Sequence, residues 1–94
     1  YDPELLTWKN TSKDQIFEFL NKSKSVIEAN DVLDRDVLRI ELDRISDGNR
    51  GLVYWPLRVA LSGAKTSPDP VDIAFVLGKP EVLKRLDKAI IKLA

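Results

Sequence analysis

The sequence predicts an all-α fold: a compact bundle of five to six helices of unequal length, forming one domain over residues 1–94. Three observations carry this reading. Apolar residues recur at steps of three and four in several segments, Asp, Ser, Pro and Gly stand where helices begin and end, and no segment shows strand alternation of useful length.

The first element follows from Asp2-Pro3-Glu4, a capping acceptor before a proline suited to a first helical turn, and predicts a short helix from about Pro3 to Trp8. Asn10-Thr11-Ser12 interrupts it. Ser12 and Gln15 have capping-box spacing, and Ile16, Phe19, Leu20, Ser23, Val26 and Ile27 form a helical stripe, so a second helix of about 15 residues follows. Asn30-Asp31 breaks the pattern. A third helix is expected from about Leu33 to Ser46, with Val37, Leu38, Leu42 and Ile45 turned inward and Asp34, Arg39 and Asp43 alternating in charge along the rest. Asp47-Gly48-Asn49-Arg50-Gly51 reads as the clearest loop.

Beyond that loop, Tyr54-Trp55-Pro56 is expected to start a helix with proline in its first turn, and Gly63 to end it in the left-handed conformation. Thr66-Ser67-Pro68-Asp69-Pro70 reads as a stiff loop ending in a helix start. Val71 to Leu77 is a short, mostly apolar helix expected to be buried and closed by Gly78. Lys79-Pro80-Glu81 opens the last helix, whose inward stripe is Val82, Leu83, Leu86, Ala89, Ile90 and Leu93.

Composition narrows the function. At 94 residues, 44% hydrophobic and 32% charged, with 4 Gly and 5 Pro, the chain falls in the globular range. It contains no Cys and no His. Disulfides, thiolate or imidazole metal ligands, a cysteine nucleophile and a Ser/His/Asp triad are therefore excluded, and free-standing catalysis is not expected. The longest apolar run, Ile73 to Leu77, is far too short to span a bilayer. The sequence starts at Tyr1 rather than Met, which reads as a piece of a longer chain.

The formal net charge is zero, but it is unevenly distributed. Residues 1–47 carry seven basic and eleven acidic side chains, net −4, and residues 48–94 eight basic and four acidic, net +4. A polyanion would therefore meet the C-terminal half. Asn21-Lys22-Ser23-Lys24-Ser25 echoes a nucleotide-binding lysine-serine loop but falls inside an amphipathic helix, so it reads as a solvated face. The acidic residues between 31 and 47 lack the glycine and terminal glutamate of a calcium loop and read as surface ion pairing.

The segment from Gly51 to Pro68 is different in kind. It sets Arg58 on the second turn of a proline-started helix and follows the Gly63 stop with a loop of small polar residues and prolines. That is a stiff loop beside an anchored cation, suited to something planar or anionic; the alternative is an arginine that ties down the loop's own carbonyls. Trp55 reads as core, whereas Tyr54 is open to either packing or stacking.

Trp55-Pro56-Leu57-Arg58-Val59-Ala60-Leu61-Ser62-Gly63, then Ser67-Pro68, then Val76-Leu77-Gly78-Lys79 and Pro80-Glu81-Val82-Leu83-Lys84-Arg85-Leu86 resemble, in order and spacing, the C-terminal end of bacterial-type glutamyl-tRNA synthetase, a class I aminoacyl-tRNA synthetase. The resemblance is strongest over 51–94 and weaker over 1–47, where Trp8 and the acid-rich helix are compatible with it. Ser62 departs from a usual threonine. Asp69-Pro70 departs from a small residue followed by an apolar one, and brings a negative charge towards an RNA loop.

The resemblance implies the last helical domain of a glutamate–tRNA ligase, one that grips the anticodon loop of tRNA(Glu). Catalysis with ATP and Mg2+ would belong to remaining N-terminal domains of the same chain, with no cofactor or metal in residues 1–94. It also implies a cytoplasmic monomer with no membrane or DNA partner. By the same resemblance Arg58, Ser67, Pro68, Asp69 and Pro70 face the anticodon bases. Sequence-specific RNA readout targets unpaired bases, which a guanidinium can both stack on and hydrogen-bond. Lys65, Thr66, Lys79 and Lys84 are candidate phosphate contacts, which position without specifying. A helical protein-interaction module is the competing function, and a DNA-binding helix-turn-helix is disfavoured by the neutral charge.

Overall fold

A computed structural model describes residues 2–7, 11–64 and 66–93. The expected Trp8 end of the first helix and the candidate Lys65 lie outside the described residues. Among those described, a 3-10 turn, Pro3–Leu6, is followed by α1 (Lys13–Ala29), α2 (Arg35–Ser46), α3 (Arg50–Ser62), α4 (Pro70–Leu77) and α5 (Lys79–Leu93), with no strand. The all-α expectation holds.

Local chemistry sets most helix starts. Asp2 accepts from the Glu4 N–H. Ser12 and Gln15 form the full capping box, each side chain bonding the other's backbone N–H. Asp34 accepts from the N–H groups of Asp36 and Val37, so α2 begins at Arg35 rather than Leu33. Asp69 does the same for Val71 at the head of α4. Each of these satisfies donors that an α-helix leaves orphaned in its first turn. At the other end, Gly63 (φ 75°) and Gly78 (φ 83°) take positive backbone angles that a side chain would strain.

α3 is the centre of the bundle. It packs against α1, α2, α4, α5 and the N-terminal turn, and buries Leu52, Val53, Pro56, Leu57, Val59, Ala60 and Leu61. It also corrects the sequence-based boundary, because the helix starts at Arg50 and Pro56 lies inside it. Proline withdraws the N–H that would bond the Leu52 carbonyl, a local cost. Burial of Leu52 and Val53 outweighs it, so the expected five-residue loop shrinks to three residues.

Two exposure expectations fail for a geometric reason. Val37, expected inward, is 43% exposed, since Leu38 and Leu42 already fill the buried stripe of α2. α4 was expected to be buried, but two turns can present only one stripe, formed by Pro70, Val71 and Ala74. Phe75 and Val76 on its other side are 48% and 81% exposed. The Arg35 guanidinium covers part of the Phe75 ring at 4.9 Å from its centroid.

Candidate nucleic-acid interface

The second half of α3 is held from below. Leu57, Val59 and Leu61 are essentially inaccessible, so the backbone carrying Arg58 is fixed by packing. Trp55 is half-buried and donates its indole N–H to the Leu5 carbonyl at 2.9 Å, tying the N-terminal turn to α3 as a core residue would. Tyr54 is likewise engaged inside the fold. Its hydroxyl donates to Asp43 Oδ1 at 2.6 Å, and Arg50 lies over its ring at 5.4 Å. Partial burial, then the Asp43 hydrogen bond and charge, push its hydroxyl up to about 12.

Arg58 differs from these neighbours. Its side chain is half-buried, and Nε is buried with no hydrogen-bond partner among the described residues. A buried guanidinium N–H without an acceptor is costly and uncommon in a native fold. The last residue of α3, Ser62, ties the following loop to the helix: its hydroxyl bonds the carbonyls of Arg58 and Ala64 and accepts from the Ala64 N–H. These bonds fold the loop back over the end of its own helix.

The loop delivers its residues unequally. Thr66 and Pro68 are exposed, and Ser67 is half-buried with its hydroxyl donated to the Pro68 carbonyl. Pro70 is buried as the first residue of α4. Asp69 is occupied on both oxygens: Oδ1 accepts from the Val71 N–H at 2.9 Å and Oδ2 from Arg39 at 2.8 Å. Partial burial would raise its carboxyl, but the Arg39 and Val71 hydrogen bonds and the charges of Arg39 and Arg58 outweigh it and hold it below the usual range. Beside the loop, Pro68, Asp72, Ile73, Val76 and Leu77 line a shallow, almost wholly apolar hollow of about 240 Å³.

Of the candidate phosphate contacts, Lys84 is exposed on α5. Lys79 is turned inward, its ammonium donating to the carbonyls of Glu28 at 3.0 Å and Asn30 at 2.8 Å. It closes the C-terminal end of α1, which has no basic residue in its own last turn.

A family described as the anticodon binding domain matches residues 1–90. The chain belongs to that family. Across 87 residues it is 36% identical to the glutamate–tRNA ligase of Clostridium tetani, an alignment covering 88% of this chain and 18% of that protein. Over 44 residues it is 50% identical to the glutamate–tRNA ligase of Clostridium kluyveri, covering 46% of this chain and 9% of the relative. The Xylella fastidiosa (strain M12) enzyme of the same name is 46% identical over 44 residues, 47% of this chain and 9% of its own. The chain thus spans less than a fifth of the length of the first of these curated relatives.

Within this anticodon-binding domain the surface ion pairing expected of the acidic residues between 31 and 47 is seen, among the described residues, at Asp43, which pairs with Arg50. The other ion pairs of α2 come from its basic residues, Arg35 with Asp72 and Arg39 with Asp69. Arg39 was not singled out in the sequence, because its partner lies 30 residues away and only the packing of α2 on α4 joins them. Among the described residues no group of three or more His, Cys, Asp or Glu is placed to hold a metal ion, and no helix is long and apolar enough to cross a membrane.

Proposed function

We propose that this domain grips the anticodon loop of tRNA(Glu) on behalf of a cytoplasmic, monomeric glutamate–tRNA ligase. The catalytic domain would lie outside residues 1–94. One observation carries the reading: an anticodon-binding family matches residues 1–90, and within them half-buried Arg58 stands on a packed helix beside a proline-bounded loop. In this reading Arg58 and the backbone of Ser67-Pro68 meet splayed-out bases, while Asp69 and Pro70 close the loop onto α4. Thr66 and Lys84 are open to phosphates. Lys65 keeps that assignment from sequence alone, and Lys79 meets RNA only by giving up its α1 carbonyls.

ATP and Mg2+ supply the activation of glutamate in such an enzyme. Mg2+ takes carboxylate, phosphate and water oxygens, and among the described residues no cluster of acidic side chains is placed to supply them. No chemical step is therefore assigned to this domain.

The test is Arg58→Ala in the full-length enzyme, charging tRNA bearing the cognate anticodon and tRNA altered at single anticodon letters. An arginine-to-base contact carries about 1–3 kcal/mol of discrimination, so charging of the cognate should fall by that order and less on a tRNA already altered at the contacted letter. Lys84→Ala should lower both equally or change neither. Unfolding by Arg58→Ala with discrimination intact in the folded fraction would make Arg58 a loop anchor. Binding that barely responds to salt would favour a protein partner instead.

A further inference from the structure

We propose that the groove between the end of α3 and α5 is a track for the phosphodiester backbone of the bound RNA, with Lys88 as its principal phosphate contact and Lys84 and Lys92 beside it on the same helix. The proposal rests on the anticodon-loop reading given above and extends the RNA footprint from the recognition loop along α5.

The geometry follows from helix spacing. Glu81, Arg85, Lys88 and Lys92 recur at steps of four, three and four, so they turn the same way round α5 and line one side of a groove of about 310 Å³. The other wall is the last turn of α3, ending in Ser62 and Gly63, where the recognition loop begins. A strand whose bases reach that loop therefore passes the mouth of this groove. Two features of the groove would repel an anion, the Glu81 carboxylate and the Leu61 carbonyl at the negative end of α3. Arg85 holds both, donating its Nε to Glu81 at 3.0 Å and its Nη1 to the Leu61 carbonyl.

With those two neutralised, Lys88 and Lys92 set the sign of the groove. Lys88 is exposed, and among the described residues no side-chain carboxylate lies within ion-pair distance of it. The other carboxylate of α5, Asp87, is held at 2.7 Å by Lys24 of α1. Lys84, Lys88 and Lys92 also stand four residues apart, a spacing at which like charges destabilise a helix. A polyanion laid along this row removes the repulsion and releases its own counterions, positioning the RNA without reading it. An acidic peptide would meet the same charges, but a nucleic-acid strand is what carries phosphates onward from the loop.

The experiment titrates a fluorescent anticodon stem–loop of glutamate tRNA with the 94-residue chain at about 50 mM and about 200 mM salt, with circular dichroism verifying the fold of each variant. One lost phosphate contact takes about 0.7–0.9 from the slope of log affinity against log salt, so Lys88→Ala should bind about tenfold more weakly at the lower salt and about threefold at the higher. The loss should be equal for cognate and altered anticodons, and Lys88→Glu should lose more. Arg44→Ala, which removes a likewise exposed cation from α2, should bind as the parent does. Parent-like affinity and slope in Lys88→Ala, a loss confined to the cognate anticodon, or an equal loss in Arg44→Ala each overturns the proposal. So does displacement of the stem–loop by polyglutamate as readily as by unpaired RNA of the same charge, which would assign the groove to an acidic protein partner. If Lys88→Ala does not fold, Lys88→Gln decides in its place. Failure of the underlying reading looks different: the parent chain would not bind the stem–loop, or Arg58→Ala would bind it as well as the parent.

Discussion

The two arginines on the C-terminal face of α3 and α5 are used in opposite ways. Arg85 turns inward: its Nη1 donates to the Leu61 carbonyl and its Nε to Glu81 at 3.0 Å, so it closes the C-terminal end of α3, which lacks a basic residue of its own in the last turn. Arg58, one turn before that carbonyl on α3, has its Nε partnerless. Lys79 sides with Arg85, closing the end of α1 from a distance of about 50 residues. Basic residues of the C-terminal half are thus not one positive patch. Arg85 and Lys79 neutralise the negative ends of helix dipoles inside the fold, Arg50 pairs with Asp43, Lys84 is exposed, and Arg58 is half-buried with its Nε unpaired among the described residues.

The largest effect that could break this contrast lies beneath both arginines. Leu61 is fully buried in the last turn of α3, one turn after Arg58, and its own carbonyl is the one that Arg85 holds. Leu61→Ala should destabilise the domain by about 2–5 kcal/mol, read as a lowered denaturation midpoint with little change in slope. RNA binding should fall with the folded fraction and no faster. A stable variant with lost base discrimination would mean that Arg58 is positioned by the side chain of Leu61 alone rather than by the helix.

Arg85→Met sharpens the contrast directly. Keeping the aliphatic stem preserves packing, whereas the Leu61 carbonyl loses its partner, so stability should drop by about 1–2 kcal/mol. The ratio of affinities for cognate and altered anticodons should stay as in the parent. That is the reverse of what Arg58→Ala should do, and both measurements come from the same pair of denaturation and binding curves. A shifted affinity ratio in Arg85→Met would place Arg85 in the recognition surface beside Arg58 and end the distinction.

Much of this fold is written locally. The Ser12-Gln15 capping box, the Asp2 and Asp69 caps and the glycines at 63 and 78 each act within a few residues, so sequence spacing is enough to find them. The anchored platform under Arg58 is similarly visible as Leu57, Val59 and Leu61 around it. What spacing misses is set by contacts between helices. Local rules place a helix start near Pro56, but burial of Leu52 and Val53 extends α3 back to Arg50. Val37 and Phe75 look like core until neighbouring helices have used up the inward directions. Lys79 reads as a spare cation, and Arg39 as one charge in an alternating series, because their partners lie 49 to 51 and 30 residues away. Charge is the least local property here, and the role of a cation is legible only once the helices are packed.

The smallest expected effect concerns Tyr54, the residue whose ring and hydroxyl left both packing and stacking open. Its hydroxyl donates to Asp43 at 2.6 Å, so Tyr54→Phe should cost about 1 kcal/mol near neutral pH, with binding of the stem–loop unchanged. The pH dependence separates this from a generic packing loss. Burial and the Asp43 carboxylate raise the folded hydroxyl to about 12, above the ordinary tyrosine value near 10, so the neutral form is favoured more in the folded chain than in the unfolded one. That contribution is fully present below about pH 10 and disappears as pH rises through about 12, where a tyrosinate would face the Asp43 carboxylate. The stability gap between parent and Tyr54→Phe should therefore be flat to about pH 10 and close by about pH 12, followed by denaturation at each pH alongside tyrosinate absorbance. A constant gap across that range would mean the hydroxyl is solvated and the Asp43 bond contributes nothing. A loss of stem–loop binding in Tyr54→Phe at neutral pH would instead move Tyr54 from the scaffold to the RNA surface.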